Sequence, residues 1–439
     1  MKNIIQFKLN IMLLFGVFIA ITSGTSCTQQ SSQIYDVTPE IDPAISIYKS
    51  SAQNSKGNVS SLKSFLAARK NALLKLDAVP SSDLQSITLQ ARTSAEQRAG
   101  VRRIRIRNFQ IISDSDPTYA GYNLGPSSPE SAQAVLASDI TDTYISQAAL
   151  KGIQIDSLEL EIGSARSGSG SFGFQRGLEY TAYIVSPATD AQLEDLRQAV
   201  EANSALFGLI TRSQEVIGDI DYVQSDKVQV IPDGYQPGLR DYLKWKRNAY
   251  LYKQKQSEER RANPSATPPQ IERGNPIHVA VEGGTGVRRI HIRQFEILHD
   301  NPPYLAGNDL GPSAYEHQIG VLTSCLTHIF EIQAAAREVT LDSLAVSAKG
   351  VVDFRAGRPG FENVPLYPHN IQYTVHIKSP ESLETIEALR DAVEAVCPIY
   401  NLLKNEQSVT GSIVRGRPVR IEHDYSYFTN ENIYSSKPW

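Results

Sequence analysis

Two stretches of this chain are near copies of one another, and that repeat limits its fold more than any compositional figure. Residues 100–130 read GVRRIRIRNFQIISDSDPTYAGYNLGPSSPE, and residues 286–316 read GVRRIHIRQFEILHDNPPYLAGNDLGPSAYE. At a constant offset of 186 with no gap, about 18 of 31 positions are identical, far beyond chance over so long a window. The register continues in IDSLELEI (155–162) against LDSLAVSA (341–348). After a seven-residue difference in length it resumes in LRQAVEANSALFG (196–208) against LRDAVEAVCPIYN (389–401). Two homologous domains follow, of about 130 residues each.

Both units carry the same order of elements. Alternating strand sequence comes first: Ile104 and Ile106 between Arg103, Arg105 and Arg107, then Ile290 and Ile292 between Arg289, His291 and Arg293. A turn region rich in Asp, Pro and Gly leads into a helix opened by Ser-x-x-Glu, Ser127 to Glu130 and Ser313 to Glu316. This is a capping box, in which the Ser side chain and the Glu side chain satisfy first-turn and cap N–H groups reciprocally. Strands are predicted at 155–162 and 178–185, and at 341–348 and 371–377, with a second helix starting at Ser186-Pro187 or Ser379-Pro380. The fold class is therefore α+β, each unit a mainly antiparallel sheet packed around two helices. Unit one spans 96–225 and unit two 276–418, with a partly helical linker at 226–275 and a tail at 419–439. Within the linker, RDYLKWKRNAYLYKQKQSEERR (240–261) mixes basic and aromatic residues and reads as a solvated connecting helix. A helix at 60–76 is expected to pack on unit one.

The 439 residues are ample for two such domains, and a formal net charge of −4 gives no general nucleic-acid footprint. Lys2 and Lys8 precede an eleven-residue apolar run, 11–21, too short to span a bilayer but suited to a secretory signal. Ser23-Gly24-Thr25-Ser26-Cys27 then resembles a bacterial lipoprotein signal, with Gly24 where that pattern prefers Leu. The expectation is a signal peptide at 1–27 lipidated on Cys27, with a plain cleaved signal and an uncleaved anchor as alternatives. Residues 28–95 would supply a tether and the N-terminal helix, and the protein would be lipid-anchored in the bacterial cell envelope.

With Cys27 carrying lipid, two of the three cysteines remain, Cys325 and Cys397. Cys325 lies on the apolar stripe of the second capped helix, between Leu322 and Ile329, so its thiol is expected in the core. Such a pair supports one chemistry directly: a thiolate attacks a peroxide O–O bond, and a nearby thiol condenses with the resulting sulfenic acid. That needs a lowered thiol pKa, with His328, Arg288, Arg289 or Arg293 as candidate cations. Cys397 precedes Pro398 and would cap a fresh helix whose terminal N–H groups favour a thiolate. The bland reading is a structural disulfide. No cofactor is expected, and Cys325-x-x-His328 lacks a second ligand pair near Cys397 for zinc.

The run Gly307-Asn308-Asp309-Leu310-Gly311-Pro312-Ser313, the helix with Glu then VLTSC, the VTLDSL that follows and Glu394-Ala395-Val396-Cys397-Pro398 together resemble the OsmC/Ohr family. The resemblance covers nearly all of unit two and, more weakly, unit one. It implies intertwined domains with active sites at their interface, so that tandem units form an internal pseudo-dimer. It also implies a thiol-dependent peroxidase acting on organic or lipid hydroperoxides, with Cys325 peroxidatic, Cys397 resolving, and an external dithiol as reductant. Unit one has Asp139 and Ser204 at the matching positions and is expected to wall the unit-two site. Two features depart from the peroxidase pattern. Gly283-Gly284-Thr285 stands where those enzymes carry Gly-Gly-Arg, leaving Arg288 or Arg289 to substitute. Glu316 lies nine residues before Cys325 instead of ten, which favours the cap over a catalytic role. The other reading is a non-catalytic binding lipoprotein of the envelope whose Cys325–Cys397 disulfide is structural.

Overall fold

The computed structural model describes residues 62–418 apart from 97–98, 166–167, 169, 229–236 and 264–275. The expected signal, Cys27 and tether, and the tail at 419–439, lie outside the described residues. Unit one contributes β1 (Ser86–Ala95), β2 (Arg102–Ile106), β3 (Phe109–Ser113), the long helix α2 (Ser128–Lys151), β4 (Ser157–Ser164), β5 (Leu178–Val185), α3 (Asp190–Asn203), α4 (Ala205–Ile210) and β6 (Val216–Gln224). Unit two repeats the order: β7 (Ile277–Val281), β8 (Arg288–Ile292), β9 (Phe295–His299), α6 (Ala314–Arg337), β10 (Ser343–Asp353), β11 (His369–Ser379), α7 (Leu383–Val396), α8 (Pro398–Lys404) and β12 (Val409–Arg415). Helix α1 (Lys63–Asp77) precedes unit one and α5 (Leu239–Ala262) precedes unit two.

The strands do not stay within their units. One six-stranded sheet runs β3-β2-β1-β10-β11-β6 and the other β9-β8-β7-β4-β5-β12, so each is built from both halves. The joins are antiparallel, β1 on β10 and β4 on β7, and β6 and β12 close the sheets as parallel edges. The two capped helices lie inside, packed on each other, with α6 on β1, β2 and β10 and α2 on β4, β7 and β8. Each central helix therefore faces a three-stranded hairpin unit belonging to the other half. The approach is tight. A Cβ on Gly320 of α6 would sit 2.7 Å from Ile104 Cγ2, inside the contact distance of close-packed interiors. Helix α6 is long and apolar enough by composition to cross a membrane, yet 78% of its most apolar window is buried in this fold.

Local chemistry explains most boundaries. Ser127 with Glu130 and Ser313 with Glu316 form the capping boxes. The second helices start later than the Ser-Pro pairs suggest, capped by Thr189 and Ser382. Ser186 and Ser379 instead accept N–H bonds from Ala188 and Glu381 (both 3.1 Å) in turns ahead of those caps, the local competition that draws Ser away from helix interiors. A third short helix follows in each unit: α8 is the fresh helix expected after Cys397, and its counterpart α4, capped by Ser204, was not expected. Strand β1 lies before the expected unit boundary at 96, in the middle of its sheet. Nor is the linker helix simply solvated, since Leu239, Tyr242, Leu243, Lys246 and Ala249 of α5 are buried.

The core includes buried polar groups, among them a histidine pair. His299 of β9 and His317 of α6 are fully buried and joined Nε2 to Nδ1 at 2.8 Å, with Ser138 Oγ of α2 2.9 Å from His299 Nδ1. Burial pushes His317 down to about 3 and His299 well below 6.5, His299 also by the adjacent His317 and Arg288. Both rings bind protons less readily folded than unfolded. Their contribution is complete above the unfolded value near 6.5 and is lost as pH falls through that value toward about 3. Urea unfolding should show a midpoint that declines as pH drops from about 6.5 to about 4, and His317→Gln should flatten that decline.

Candidate functional site

The strand exchange builds the thiol site from both halves. Cys325 sits mid-way along α6 and Cys397 is the N-cap of α8; their Sγ atoms are 3.4 Å apart and the side chains are buried, 2% and 0% exposed. The geometry has the Cys397 thiol donating to Cys325. Arg102 of β2 is only 1% exposed and its charge acts on Cys325. Strand alternation puts Arg102 in phase with Ile104 and Ile106, on the face that meets α6. Its guanidinium donates to Gly100 O (2.7 Å), Ser113 Oγ (3.2 Å), Ser115 Oγ (3.2 Å) and His328 Nδ1 (3.2 Å), with Ser324 Oγ at 3.4 Å. A guanidinium can only donate, so His328 Nδ1 accepts and the neutral ring carries its proton on Nε2. Burial, then Lys246, Arg102 and Lys253, hold His328 well below its ordinary value, so the ring is neutral.

The two thiols are driven apart in acidity. Burial raises Cys325, but the Cys397 thiol, the Ile399 backbone N–H, the Arg102 charge and the Ser128 hydroxyl outweigh it, and its pKa lies below the ordinary thiol value. Burial and the neighbouring Cys325 push Cys397 well above that value, although Tyr400 and Ile399 N–H groups work the other way. The α8 N–H groups do favour a Cys397 thiolate as expected, but burial and Cys325 outweigh them, and the Ile399 N–H also favours the Cys325 thiolate. Environments that separate two adjacent titrations leave one sulfur the more readily ionised and the other the proton-bearing partner.

Other residues singled out in the sequence lie elsewhere. Glu316 is nine residues up the helix from Cys325, roughly 13 Å along the axis, where it completes the cap of α6 and is gripped by Arg107. Arg289 is on the outer sheet face with Glu282 and Glu296 (both 2.6 Å). Arg288 is buried, but against unit one: it donates to Ser138 Oγ (3.0 Å) and Asp142 (2.7 Å) of α2. Neither arginine reaches the thiols, because each second strand serves the other unit's helix. Arg102 was missed for that reason. Its signal was in the sequence, as the repeat partner of Arg288 and in phase with the inward isoleucines. Arg293 likewise crosses, to Glu130 and Asn123.

The thiol-free half keeps the plan with other atoms. Asp139, in the place of Cys325, accepts from Ser204 Oγ (2.6 Å), in the place of Cys397, and from Leu206 N–H (2.9 Å). Burial raises the Asp139 carboxyl to about 6 against those two hydrogen bonds. A cleft of about 350 Å³ opens beside Ser204, Phe207, Arg212 and Tyr367. On the thiol side the shorter β4–β5 loop presses onto α8, where a Cβ on Gly173 would lie 2.7 Å from Pro398 Cβ. Among the described residues no group of three His, Cys, Asp or Glu is placed to hold a metal. Arg102→Met should raise the Cys325 titration midpoint by about 1 pH unit, read as thiolate absorbance in reduced protein, and Arg288→Met should leave it in place.

A family model described as OsmC-like protein matches residues 307–411, the span from the turn before α6 to the start of β12. Among solved structures, an OsmC-like protein from Mycoplasma pneumoniae is 21% identical with a TM-score of 0.24, covering 30% of this chain and 90% of its own. An organic hydroperoxide resistance protein OsmC from Legionella pneumophila, described as a predicted redox protein and regulator of sulfide bond formation, is 13% identical with a TM-score of 0.21, covering 32% and 89%. No curated protein matches. Residues 307–411, which hold both thiols, form an OsmC-like domain.

Proposed function

We propose that this protein is a thiol-dependent peroxidase reducing organic or lipid hydroperoxides. The observation that carries the reading is the buried Cys325–Cys397 pair, 3.4 Å apart beside Arg102, in a domain of a family with redox members. The Cys325 thiolate attacks the terminal, protonated peroxide oxygen; the S–O bond forms and the O–O bond breaks. The alkoxide takes up from solvent the proton that the Cys325 thiol lost on ionising and leaves as the alcohol. Sulfur is oxidised by two electrons to the sulfenic acid. Cys397 then displaces the sulfenic hydroxyl as water, forming the disulfide, and an external dithiol returns both thiols by exchange. A sulfur already at 3.4 Å needs only a short approach to the bonding distance of about 2.05 Å. Arg102 stabilises the thiolate and is the cation we assign to the role left vacant by Gly283-Gly284-Thr285.

A second reading has one observation in its favour. Both sulfurs are almost fully buried and the β4–β5 loop covers α8, as suits a static disulfide in a binding protein whose open cleft is the thiol-free one. One experiment separates them: reduced protein lacking Cys27 receives one equivalent of cumene hydroperoxide, and its thiols are then alkylated and mapped. Rapid Cys325–Cys397 disulfide formation, with a sulfenate trapped on Cys325 in Cys397→Ser and no peroxide consumed by Cys325→Ser, is the expected pattern. Oxidation no faster than a model thiol would favour the binding reading. We also propose that Cys27 anchors the chain in the envelope. Labelling with a palmitate analogue should mark the wild type and be lost in Cys27→Ala.

A further inference from the structure

The linker helix α5 reaches the thiol site with a buried charge. Lys246 and Glu331 are 2% and 0% exposed and form an ion pair at 3.4 Å. Lys246 Nζ also donates to Tyr242 Oη (2.9 Å) and to the Tyr119 carbonyl (3.3 Å). Glu331 has less: neither oxygen accepts a hydrogen bond of ordinary geometry among the described residues, and its other approach is His328 Nδ1 at 3.8 Å. The same His328 nitrogen accepts from Arg102, whose charge acts on Cys325, Lys246 and Glu331 alike. Around this cluster stand Arg102 from β2, Asp114 and Tyr119 from the turn after β3, and Ser128 from α2. Tyr242, Lys246 and Lys253 face it from α5, His328, Glu331 and Cys325 from α6, and Cys397 from α8. Asp114 is committed to the backbone N–H groups of Ser115, Tyr122 and Leu124 (2.7, 2.9 and 3.1 Å).

The thiol-free half shows what the cluster is for. There the helix before the unit, α1, packs on α2 as α5 packs on α6. Its buried Arg69 and the exchanged Arg288 converge on one carboxylate, Asp142, at 3.1 and 2.7 Å. Both halves thus bring two cations to a central helix, one from the preceding helix and one from the exchanged strand. By the offset of 186, His328 stands in the place of Asp142. Its neutral ring cancels neither cation, and the carboxylate moves three residues on, to Glu331.

We propose that Lys246 is a positioning residue for Cys325: paired with Glu331, it neutralises that buried carboxylate so that the Arg102 charge is left to hold Cys325 as a thiolate. The linker helix is then part of the redox centre, which rests on the reading of Cys325 as the reacting thiolate. Glu331 stands six residues along α6 from Cys325, roughly 9 Å on the axis, and shares the Arg102 charge with it. Unpaired, its carboxylate disfavours the thiolate by like-charge repulsion and by drawing on that charge, and removing one member of a buried pair exposes the other.

The test is titration of thiolate absorbance at 240 nm in full-length, reduced Cys27→Ala protein, with Cys325→Ser subtracted to assign the signal. Lys246→Met should raise the Cys325 midpoint by about 1 pH unit, Lys246→Arg should hold it, and Lys246→Met with Glu331→Gln should return it to the starting value. A merely structural Lys246 would not be rescued by removing its partner. An unmoved midpoint in Lys246→Met, or a double variant shifted as far as the single one, overturns the proposal. If Arg102→Met still shifts the midpoint in that case, the peroxidase reading survives. If the parent midpoint is that of an ordinary thiol and Arg102→Met leaves it there, both fall.

Discussion

Everything at the thiol site depends on two antiparallel joins, β1 on β10 and β7 on β4, through which each half gives three strands to the sheet that covers the other half's helix. Hydrogen-bond registers fix these joins residue by residue. Because side chains alternate across a strand, register also decides which residues point at the helix. Arg102 and Arg288 are both carried inward by this, each onto a helix from the opposite half. The same exchange sends Arg107 and Arg293, left-handed at φ 51° and 52° in their hairpin turns, across to the cap carboxylates Glu316 and Glu130. Each central helix is thus held at its start and middle by cations it does not own.

A shared plan with different end groups gives the chain its asymmetry. Asp139 and Ser204 make an oxygen version of the sulfur pair, hydrogen-bonded at 2.6 Å where the sulfurs approach at 3.4 Å. Both versions place a group able to carry negative charge in front of a buried arginine or near one. In one half the anion is a carboxyl that burial lifts toward neutrality. In the other it is a thiol that its neighbours draw toward ionisation. The cleft opens over the first and the loop closes over the second, so the open cleft and the readily ionised thiol belong to different halves.

Burial of charge in this core comes with partners in nearly every case, as the desolvation cost requires. Arg69 and Arg288 share Asp142, and Lys246 holds Glu331. Arg102 is the exception. Its partners are hydroxyls, a carbonyl and a neutral imidazole, which satisfy its donors without cancelling its charge. That uncancelled charge is what a thiolate at Cys325 would answer.

The repeat, the capping boxes, the alternating strands and the identity of the two thiols could all be read from the chain, because each depends on residues close in sequence or on a register kept over long stretches. The caps at Ser127 and Ser313 are local hydrogen bonds, and the core position of Cys325 follows from helical spacing alone. Tertiary structure decided which arginine meets the helix of Cys325 and which meets that of Asp139. Local pattern marks Arg102 and Arg288 equally as inward-facing, and only the pairing of β1 with β10 assigns the first to Cys325. It also decided the acidities of Cys325 and Cys397, which depend on N–H groups and charges from four separate elements, and the burial of Lys246 on a helix whose composition reads as solvated. Those properties arise where segments from 72 to more than 200 residues apart come into contact, and no spacing rule within a segment encodes such a contact.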